Sequence, residues 1–389
     1  MLLTACLALL AVSCTPVKVD KSAVDRVNSL GFQLFNRLAG DSLTGNIVIS
    51  PVCIEQGLAL ALNGARGATR AEIAQILGLD DTVSASLNRG NAGLRRSMSG
   101  LGSAVQLNQA ISVWIRNGLG TRREFAAVCR QDYGADCREL DFAVPSAAQE
   151  VNRWVSKQTR GLIPGVLDHF EERAVALLLS AVYFQGRWKK PFSPRYTRPG
   201  EFYLLNGDIV ERQMMHHYEE FDCLATDSFS AVRLPFAGRR FAMCVFVPDD
   251  TFGLPALLDK LNPDNWRRWM AGFQPNELDV ILPRFTIDYA ADLKQSLTGL
   301  GMVSAFDSAR ADFSGIVEKS DVPLWFDRAL HAVALEVNEA GAKAAAVMAF
   351  EVVGGVCNGV IADHPFFCAI VDSKTGAILF MGAITDPKQ

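Results

Sequence analysis

Nucleophiles and potential metal ligands are few and scattered in this sequence of 389 residues. Its five histidines include the adjacent pair His216 and His217, whose side chains would point to opposite faces of a strand and could not chelate one ion together. The sequence contains neither an H-E-x-x-H zinc motif nor a G-x-S-x-G nucleophile elbow, and it has no phosphate-binding loop. We therefore expect a protein that is not an enzyme and that needs neither a metal nor another cofactor.

Nine cysteines are spread along the chain, and no two of them are spaced C-x-x-C. Seven follow Cys14, and because seven is odd, at least one of these thiols must be unpaired. Cys244 and Cys368 lie in apolar runs, where a thiol behaves as a small hydrophobic group. We predict buried free thiols rather than a disulfide framework.

The segment 336–364, EVNEAGAKAAAVMAFEVVGGVCNGVIADH, is the most unusual stretch of the chain. Intrinsic propensity favours a helix over 342–350. As a strand, however, the same residues sort by parity, because both charged residues, Lys343 and Glu351, are odd-numbered. The even positions are all apolar: Ala342, Ala344, Ala346, Met348, Phe350 and Val352. Periodicity leaves both structures open, an Ala-rich helix or a strand that presents one apolar face to a core.

Composition and charge exclude several classes of protein. The chain is 49% apolar and 21% charged, which excludes a disordered protein. Lys and Arg number 38 against 42 Asp and Glu, and this balance argues against a nucleic-acid partner. No apolar run reaches the roughly 18 residues that a membrane-spanning helix needs.

The first residues, MLLTACLALLAVSC, suit a secretory signal. We predict a signal peptide over 1–13, lipidation at Cys14, where 11–14 resembles a bacterial lipobox, and a tether over 14–19. Cys6 ends a second lipobox-like stretch, and an ordinary cleaved signal is the alternative. The lipid would anchor the chain to the outer surface or in the periplasm without embedding it; the alternative is a secreted soluble protein.

The remaining elements must position the segment 336–364. Helical spacing and capping residues predict helices over 20–39, 51–64, 121–134 and 147–161. Thr69 and Glu72 have the spacing of a capping box at the start of another helix. Residues 104–116 predict a long strand, and the apolar run 174–186 predicts a strand covered on both faces. Helices that precede interleaved strands indicate a single α+β domain over 20–389.

Short motifs follow one another in a recognisable order along most of the chain. The stretch EAGAKAAA at 339–346 is similar to the proximal hinge of the serpin reactive-centre loop, and His331 precedes it at the family position. Further matches follow in family order: NIVISP (46–51), GARGAT (64–69), NRWV (152–155), TRGLI (159–163), FQGRW (184–188), LPRF (282–285), ADFSG (311–315) and ADHPF (362–366).

The resemblance implies a fold of three β-sheets and eight to nine helices, with an exposed reactive-centre loop above a five-stranded central sheet. It also implies an inhibitor that its target consumes. The endopeptidase would cleave the loop and become trapped as an acyl-enzyme, in a covalent 1:1 complex, when the loop inserts into the sheet. We expect a monomer whose uncleaved form is kinetically trapped.

The resemblance also assigns roles to individual residues. The breach at the top of the sheet maps to Trp188, Arg284 and Glu339. The shutter beneath the opening sheet maps to Ser50, Cys53, Ser180 and His331, where Cys53 replaces a usual Ser and Ser180 a usual Asn. The hinge comprises Glu339, Gly341, Ala342, Ala344, Ala345 and Ala346.

Family spacing places the reactive bond at Gly354–Gly355 or at Gly355–Val356, with Val352 and Val353 as the specificity flank. No Lys or Arg lies between Lys343 and Lys374, so a trypsin-like target is not indicated. Small apolar residues suit an elastase-like or subtilisin-like serine protease, or a papain-like cysteine protease.

Two further expectations concern activation and the alternative function. Arg89, Arg95 and Arg96 form too thin a basic cluster to indicate heparin-type activation. Val347 and Met348 are bulkier than the usual hinge residues. They favour the alternative that the chain is a non-inhibitory serpin-fold surface or binding protein that is cleaved as a substrate.

Overall fold

This computed structural model describes residues 19–40, 43–80, 84–99, 101, 103–319, 323–339 and 359–388. The predicted signal peptide (1–13), most of the tether and Cys14 lie outside these ranges. So do most of the predicted reactive-centre loop residues: Gly341, Ala342, Ala344, Ala345, Ala346, Val352, Val353, Gly354, Gly355 and Val356. None of the described helices combines the length and the apolar character that crossing a membrane requires.

Nine α-helices occur in these ranges, and most lie in the first half of the chain. They are α1 (Lys21–Ala39), α2 (Pro51–Gly64), α3 (Gly67–Ile76), α4 (Ser84–Ser97), α5 (Arg123–Val128), α6 (Ser146–Gln158), α7 (Leu254–Leu258), α8 (Pro263–Gly272) and α9 (Lys294–Gly299). Helix α2 begins as predicted, because Ser50 caps it and Pro51 occupies its first turn.

Fourteen strands in the same part of the chain form the sheets. They are β1 (Ile47–Ile49), β2 (Val105–Arg116), β3 (Asp136–Leu140), β4 (Ala176–Gly186), β5 (Arg198–Tyr203), β6 (Ile209–Ala225), β7 (Phe229–Pro235), β8 (Phe241–Pro248), β9 (Gln274–Pro283), β10 (Phe285–Asp292), β11 (Phe326–Val337), β12 (Gly359–Ile361), β13 (Phe366–Asp372) and β14 (Ile378–Ile384). The mixture confirms the predicted α+β class.

A five-stranded sheet has the order β10-β11-β4-β2-β3, and its strand β11 precedes the predicted loop segment in the sequence. Its central strands β4 and β11 run parallel, and their register extends from Ala176 opposite Phe326 to Phe184 opposite Leu335. We call this pairing the β4–β11 seam. The outer neighbours β2 and β10 are antiparallel to β4 and β11, respectively.

The other strands form one nine-stranded network with the order β1-β14-β13-β8-β7-β6-β9-β12, and β5 pairs with β6. The 17-residue strand β6 joins its two parts. Most of β6 pairs with β5 and β9, whereas its last residues, from Asp222 to Ala225, pair with β7. The described strands therefore form two hydrogen-bonded sheets rather than the three expected, because β6 connects β5 and β9 to β7 in one network. Strand β1 closes one edge by pairing with β14.

Both faces of the central strands β4 and β11 are buried, as the apolar run 174–186 predicts for β4. Val333 and Leu335 of β11 belong to a core cluster shared with the nine-stranded network. Leu330 and Ala332 face the opposite way, into a cluster that includes Val151 and Trp154 of α6. The alternation follows from the two-residue period of a strand.

Three local predictions are wrong. The capping box does not form, because Thr69 Oγ1 accepts a hydrogen bond from the Asp312 N–H (3.0 Å) and Glu72 accepts bonds from the Val303 and Ser304 N–H groups. Both side chains are thus engaged in hydrogen bonds with residues that are distant in sequence. The helix predicted over 121–134 is α5 followed by a five-residue π-helix, Cys129–Tyr133, and the helix predicted over 147–161 already ends at Gln158.

Candidate functional site

The candidate site lies along β11, the strand that leads into the predicted reactive-centre loop. The described chain leaves this strand at Glu339 and returns at Gly359, where β12 pairs in parallel with β9. The structure places the predicted residues in two clusters on β11. One surrounds His331 in the middle of the strand, and the other surrounds Glu339 just beyond its end.

His331 connects three elements through its imidazole ring. On the β4–β11 seam it lies directly opposite Ser180, and its Nδ1 is 2.7 Å from Ser180 Oγ. Its Nε2 accepts a hydrogen bond of 2.9 Å from the Ser50 backbone N–H, at the start of α2. Strands β4 and β11 and helix α2 are therefore joined by one buried side chain.

The hydrogen bonds determine the protonation state of this ring. Because Nε2 accepts from a backbone N–H, it carries no proton, and the proton of the neutral ring is on Nδ1. The Nδ1–H group then donates to Ser180 Oγ. Burial lowers the pKa of His331 to about 3, so the ring is neutral at physiological pH.

Cys53 completes this cluster from the first turn of α2. Its backbone N–H donates to Ser50 Oγ at 3.4 Å, the capping bond of the helix. Burial raises the pKa of the Cys53 thiol to about 12, and a side-chain hydrogen bond with Ser50 partly opposes this shift. The side chain is thus a protonated thiol without nucleophilic character.

Glu339 lies at the centre of the second cluster. Its Oε1 accepts a hydrogen bond from Thr197 Oγ1 (2.9 Å) and is 3.7 Å from Arg284 Nη1. Its backbone carbonyl accepts a bond of 2.9 Å from the Phe192 N–H. Thr197 and Phe192 were not found by sequence reasoning, because they belong to a connection before β5 that carries no motif of its own.

Trp188 holds the preceding residue in place. Its indole N–H donates to the Asn338 carbonyl at 2.8 Å. The ring is stacked on Phe236, with centroids 4.5 Å apart and planes inclined by 10°. The start of the predicted loop is consequently fixed by both its backbone and its side chain.

The two clusters do not form a single site. Glu339 lies eight positions after His331, which corresponds to roughly 26 Å of extended chain. Neither cluster combines a nucleophile with a base, because His331 uses both ring nitrogens in fixed hydrogen bonds. Among the described residues, no group of three or more His, Cys, Asp or Glu side chains could hold a metal ion. What the His331 cluster does in this structure is join β4 to β11.

Comparison with known sequences connects this geometry to a family. The family described as Serpin (serine protease inhibitor) matches residues 25–387. The chain is 31% identical to the leukocyte elastase inhibitor of Xenopus tropicalis over 379 residues, 92% of this chain and 97% of that protein. It is 30% identical to a serpin-like protein of Thermococcus kodakarensis over 380 residues, 95% of this chain and 87% of that protein.

Solved structures show the same similarity. Native protease nexin-1, crystallised with heparin, superimposes with a TM-score of 0.84 at 26% identity, over 95% of this chain and 100% of that one. Uncleaved ovalbumin gives a TM-score of 0.84 at 25% identity, over 94% of this chain and 100% of that one. The sequence match, the fold and the β4–β11 seam agree, and the chain belongs to the serpin family.

Proposed function

We propose that this chain is a suicide inhibitor of an endopeptidase, and not an enzyme, with a covalent 1:1 complex as its product. The target class is a serine protease of elastase or subtilisin type, or a papain-like cysteine protease. Relatives named leukocyte elastase inhibitor, from Xenopus tropicalis, and serpin B9, from Homo sapiens, support inhibition; each is 31% identical to this chain.

The observation that carries the proposal is the parallel direction of the β4–β11 seam. A segment that follows β11 and folds back on it must run antiparallel to β11. It would then run antiparallel to β4 as well, because β4 and β11 point the same way. Insertion would therefore exchange one parallel pairing for two antiparallel ones, and antiparallel ladders are slightly more stable per residue.

The segment after β11 has the length and pattern for this insertion. Fifteen residues, 340–354, separate Glu339 from the first candidate bond, whereas β11 has 12 residues. Their even positions are apolar, so the new strand would bury one uniform face. Each ladder hydrogen bond would add about 1 kcal/mol net.

The proposed chemistry begins at the carbonyl of Gly354 or Gly355. The Ser or Cys nucleophile of the protease attacks that carbonyl, the peptide bond breaks, and the new amino terminus leaves with a proton. An ester or thioester then joins the protease to the loop. Insertion has to carry the protease away before water hydrolyses this bond, so inhibition is a competition between two rates.

The two clusters on β11 would set the rate of insertion. The seam cannot open at its centre until the His331–Ser180 hydrogen bond breaks, and the strand cannot bend back until the Glu339 contacts change. We assign the shutter role to Ser50, Cys53, Ser180 and His331, and the breach role to Trp188, Arg284 and Glu339. Thr197 and Phe192 belong with the breach, since both bind Glu339.

Incubation of the chain with elastase-, subtilisin-, papain- and trypsin-type enzymes tests the proposal. We expect a band of summed mass that survives SDS with at least one of the first three, and no such band with trypsin. Sequencing of the released C-terminal peptide would identify the bond, and its first residue should be Gly355 or Val356. Cleavage by every enzyme without a stable complex would contradict inhibition.

That outcome would support the second candidate, a serpin-fold surface or binding protein that is cleaved as a substrate. Val347 and Met348 favour it, because bulky side chains near the hinge would slow insertion. The double variant Val347→Ala with Met348→Thr separates the two explanations. If bulk is the cause, the variant should form the complex that the parent chain does not.

Location and anchoring belong to the same proposal. We propose export and lipidation at Cys14, with the inhibitory domain carried on the outer surface or in the periplasm, as a monomer. Metabolic labelling with a fatty acid should mark the parent chain but not a Cys14→Ala variant. If the Cys14→Ala variant is still labelled, the lipid is attached to another residue. If neither protein is labelled, the result favours a secreted soluble protein.

A further inference from the structure

Two of the described cysteines, Cys129 and Cys137, have side chains that contact each other. Cys129 begins the π-helix Cys129–Tyr133, and Cys137 lies on the edge strand β3. The two thiols are within hydrogen-bonding distance, and both pack against the same apolar cluster. All six described cysteines are reduced in the structure.

The backbone between the two cysteines brings them together. The Cys129 carbonyl accepts a bond of 2.8 Å from the Ala135 N–H, which closes the wide turn of the π-helix. Gly134 follows with φ of 60°, in the left-handed region that favours glycine. The chain then enters β3, where Cys137 lies opposite Val113 of β2. Secondary structure thus fixes both ends of this short connection.

The two thiols differ in character. Cys129 is fully buried, whereas Cys137 is partly exposed. A hydrogen bond from Cys129 lowers the pKa of Cys137, and burial opposes this shift. The same contact, together with burial, raises the pKa of Cys129. Cys137 is consequently the thiol that can react first, and Cys129 is held beside it as the second.

Three other described cysteines are poorly suited to thiol exchange. Cys53, Cys244 and Cys368 are buried, and burial raises the pKa of Cys53 and Cys368 to about 12 and that of Cys244 to about 11. Thiols of this kind are protonated and inaccessible, so they exchange slowly. The contrast within one chain distinguishes the Cys129–Cys137 pair from core cysteines.

We propose that Cys129 and Cys137 are a redox modification site and form a reversible intramolecular disulfide with a low-molecular-weight disulfide as the oxidant. The Cys137 thiolate attacks one sulfur of the oxidant, a mixed disulfide forms, and the first thiolate leaves. Cys129 loses its proton to solvent and attacks Cys137 Sγ, and the second thiolate leaves. Two protein thiols are oxidised, and the oxidant is reduced to two thiols.

The bond would restrain the edge of the five-stranded sheet. It would tie β3 to the π-helix, which contacts α4 and α2. Eight positions separate the two cysteines, so the cross-link closes a short ring of chain and limits local opening of 129–137. Hydrogen exchange at these amides should be slower in the oxidised protein than in the reduced one.

The test uses the full folded chain and oxidised glutathione. After incubation, free thiols are alkylated in denaturant and the chain is digested for mass spectrometry. We expect one linked pair of peptides, joined through Cys129 and Cys137 and lighter by two hydrogen atoms, while Cys244 and Cys368 remain alkylated. Dithiothreitol should restore both thiols. If Cys129 and Cys137 stay alkylatable, or pair with other cysteines, the proposal is wrong.

Two single variants test the assigned order of attack. Cys129→Ser should accumulate a glutathione adduct at Cys137, because the second thiol is gone. Cys137→Ser should take up no adduct at Cys129, because that thiol is buried. Cys368→Ser, a matched buried control, should form the disulfide as the parent chain does. An adduct at Cys129 in Cys137→Ser would overturn the order; the peptide map of the parent chain does not depend on how these variants fold.

Discussion

His331 combines functions that an apolar side chain could not supply at the same position. Its neutral ring accepts from the Ser50 N–H and donates to Ser180 Oγ, so it satisfies two buried polar groups and joins three elements. Such bonds contribute modestly when made, but an unsatisfied buried group costs about 1–3 kcal/mol. The two hydrogen bonds of His331 therefore stabilise the pairing of β4 with β11, and the loss of either bond should weaken it.

Acid should weaken the fold through this residue. The pKa of His331 is about 3 in the folded chain, below the ordinary value near 6.5, so its stabilising contribution is complete above pH 6.5. It is lost as pH falls from 6.5 towards 3, by about 1.4 kcal/mol per pH unit. The slope of unfolding free energy against pH should decrease in His331→Gln but not in the exposed control His169→Gln. Equal slopes in all three proteins would contradict this assignment.

Ser180 allows the seam to be tested without altering the histidine. We expect Ser180→Ala to lose about 1–3 kcal/mol of unfolding free energy, because the Nδ1–H group loses its acceptor. If the chain is the inhibitor proposed above, its inhibitory activity should also decay faster on warm incubation, because β4 and β11 would separate more readily. Ser112→Ala is the control: Ser112 is buried in the neighbouring strand β2, and its hydrogen bond from Trp114 Nε1 (2.8 Å) stays within β2 and does not cross the seam. Equal decay of activity in both variants would show that the effect is one of stability alone.

Individual contacts were predictable only where a motif carried them. The family resemblance places Arg284 near Glu339, and the structure separates Arg284 Nη1 from Glu339 Oε1 by 3.7 Å. Thr197 could not be found in this way, because a threonine in a polar connection has no distinguishing pattern. Thr69 and Glu72 show the opposite error. They have the spacing of a capping box, but both side chains accept hydrogen bonds from backbone groups that are distant in sequence.

At the scale of elements, strands proved easier to predict than helix ends. The run 174–186 is apolar at nearly every position, and it forms a strand buried on both faces because the sheet lies between two cores. The π-helix was not predictable. One extra residue per turn leaves the apolar pattern of 121–134 almost unchanged, and the π-helix places its first and last residues, Cys129 and Tyr133, in the core.

The parity of the hinge predicts opposite effects for neighbouring charges. Ala344→Glu would bring a carboxylate to the face that insertion buries, so we expect cleavage without trapping. Lys343→Glu changes charge on the other face and should leave trapping largely intact. The measurement is the ratio of SDS-stable complex to cleaved chain, which should fall at least tenfold in Ala344→Glu alone. Similar ratios in both variants would contradict insertion with this register.

At the scale of the whole molecule, the proposed function implies that the uncleaved chain has a more stable arrangement that it does not reach. The two strands of the β4–β11 seam are parallel to each other, and a segment of matching length follows β11. Stability in such a protein is a matter of rates rather than of equilibrium, because the barrier and not the depth of the state preserves it. The whole-chain fold could be predicted from motif order, whereas this kinetic property depends on strand direction.

Cleavage should make the molecule more resistant to heat. If the segment inserts, it adds ladder bonds on both sides at about 1 kcal/mol each, and the thermal midpoint should rise by roughly 10 °C or more. The comparison is between the intact chain and the same chain cut within the loop, by circular dichroism. Ala344→Glu, cut in the same way, is the control and should gain much less. A cut parent chain that melts no higher than the intact one would exclude insertion.

The strands after the loop, β12, β13 and β14, anchor its C-terminal end and are the last part of the fold to be synthesised. The five-stranded sheet needs no residue after Val337, whereas β12, β13 and β14 complete the nine-stranded network, and β14 reaches back to β1 across more than 330 positions. During synthesis, all residues of the β4–β11 seam are therefore made before the strands that follow the loop. A proteolytic cut recreates this situation in the finished molecule, because it turns a segment anchored at both ends into one with a free end.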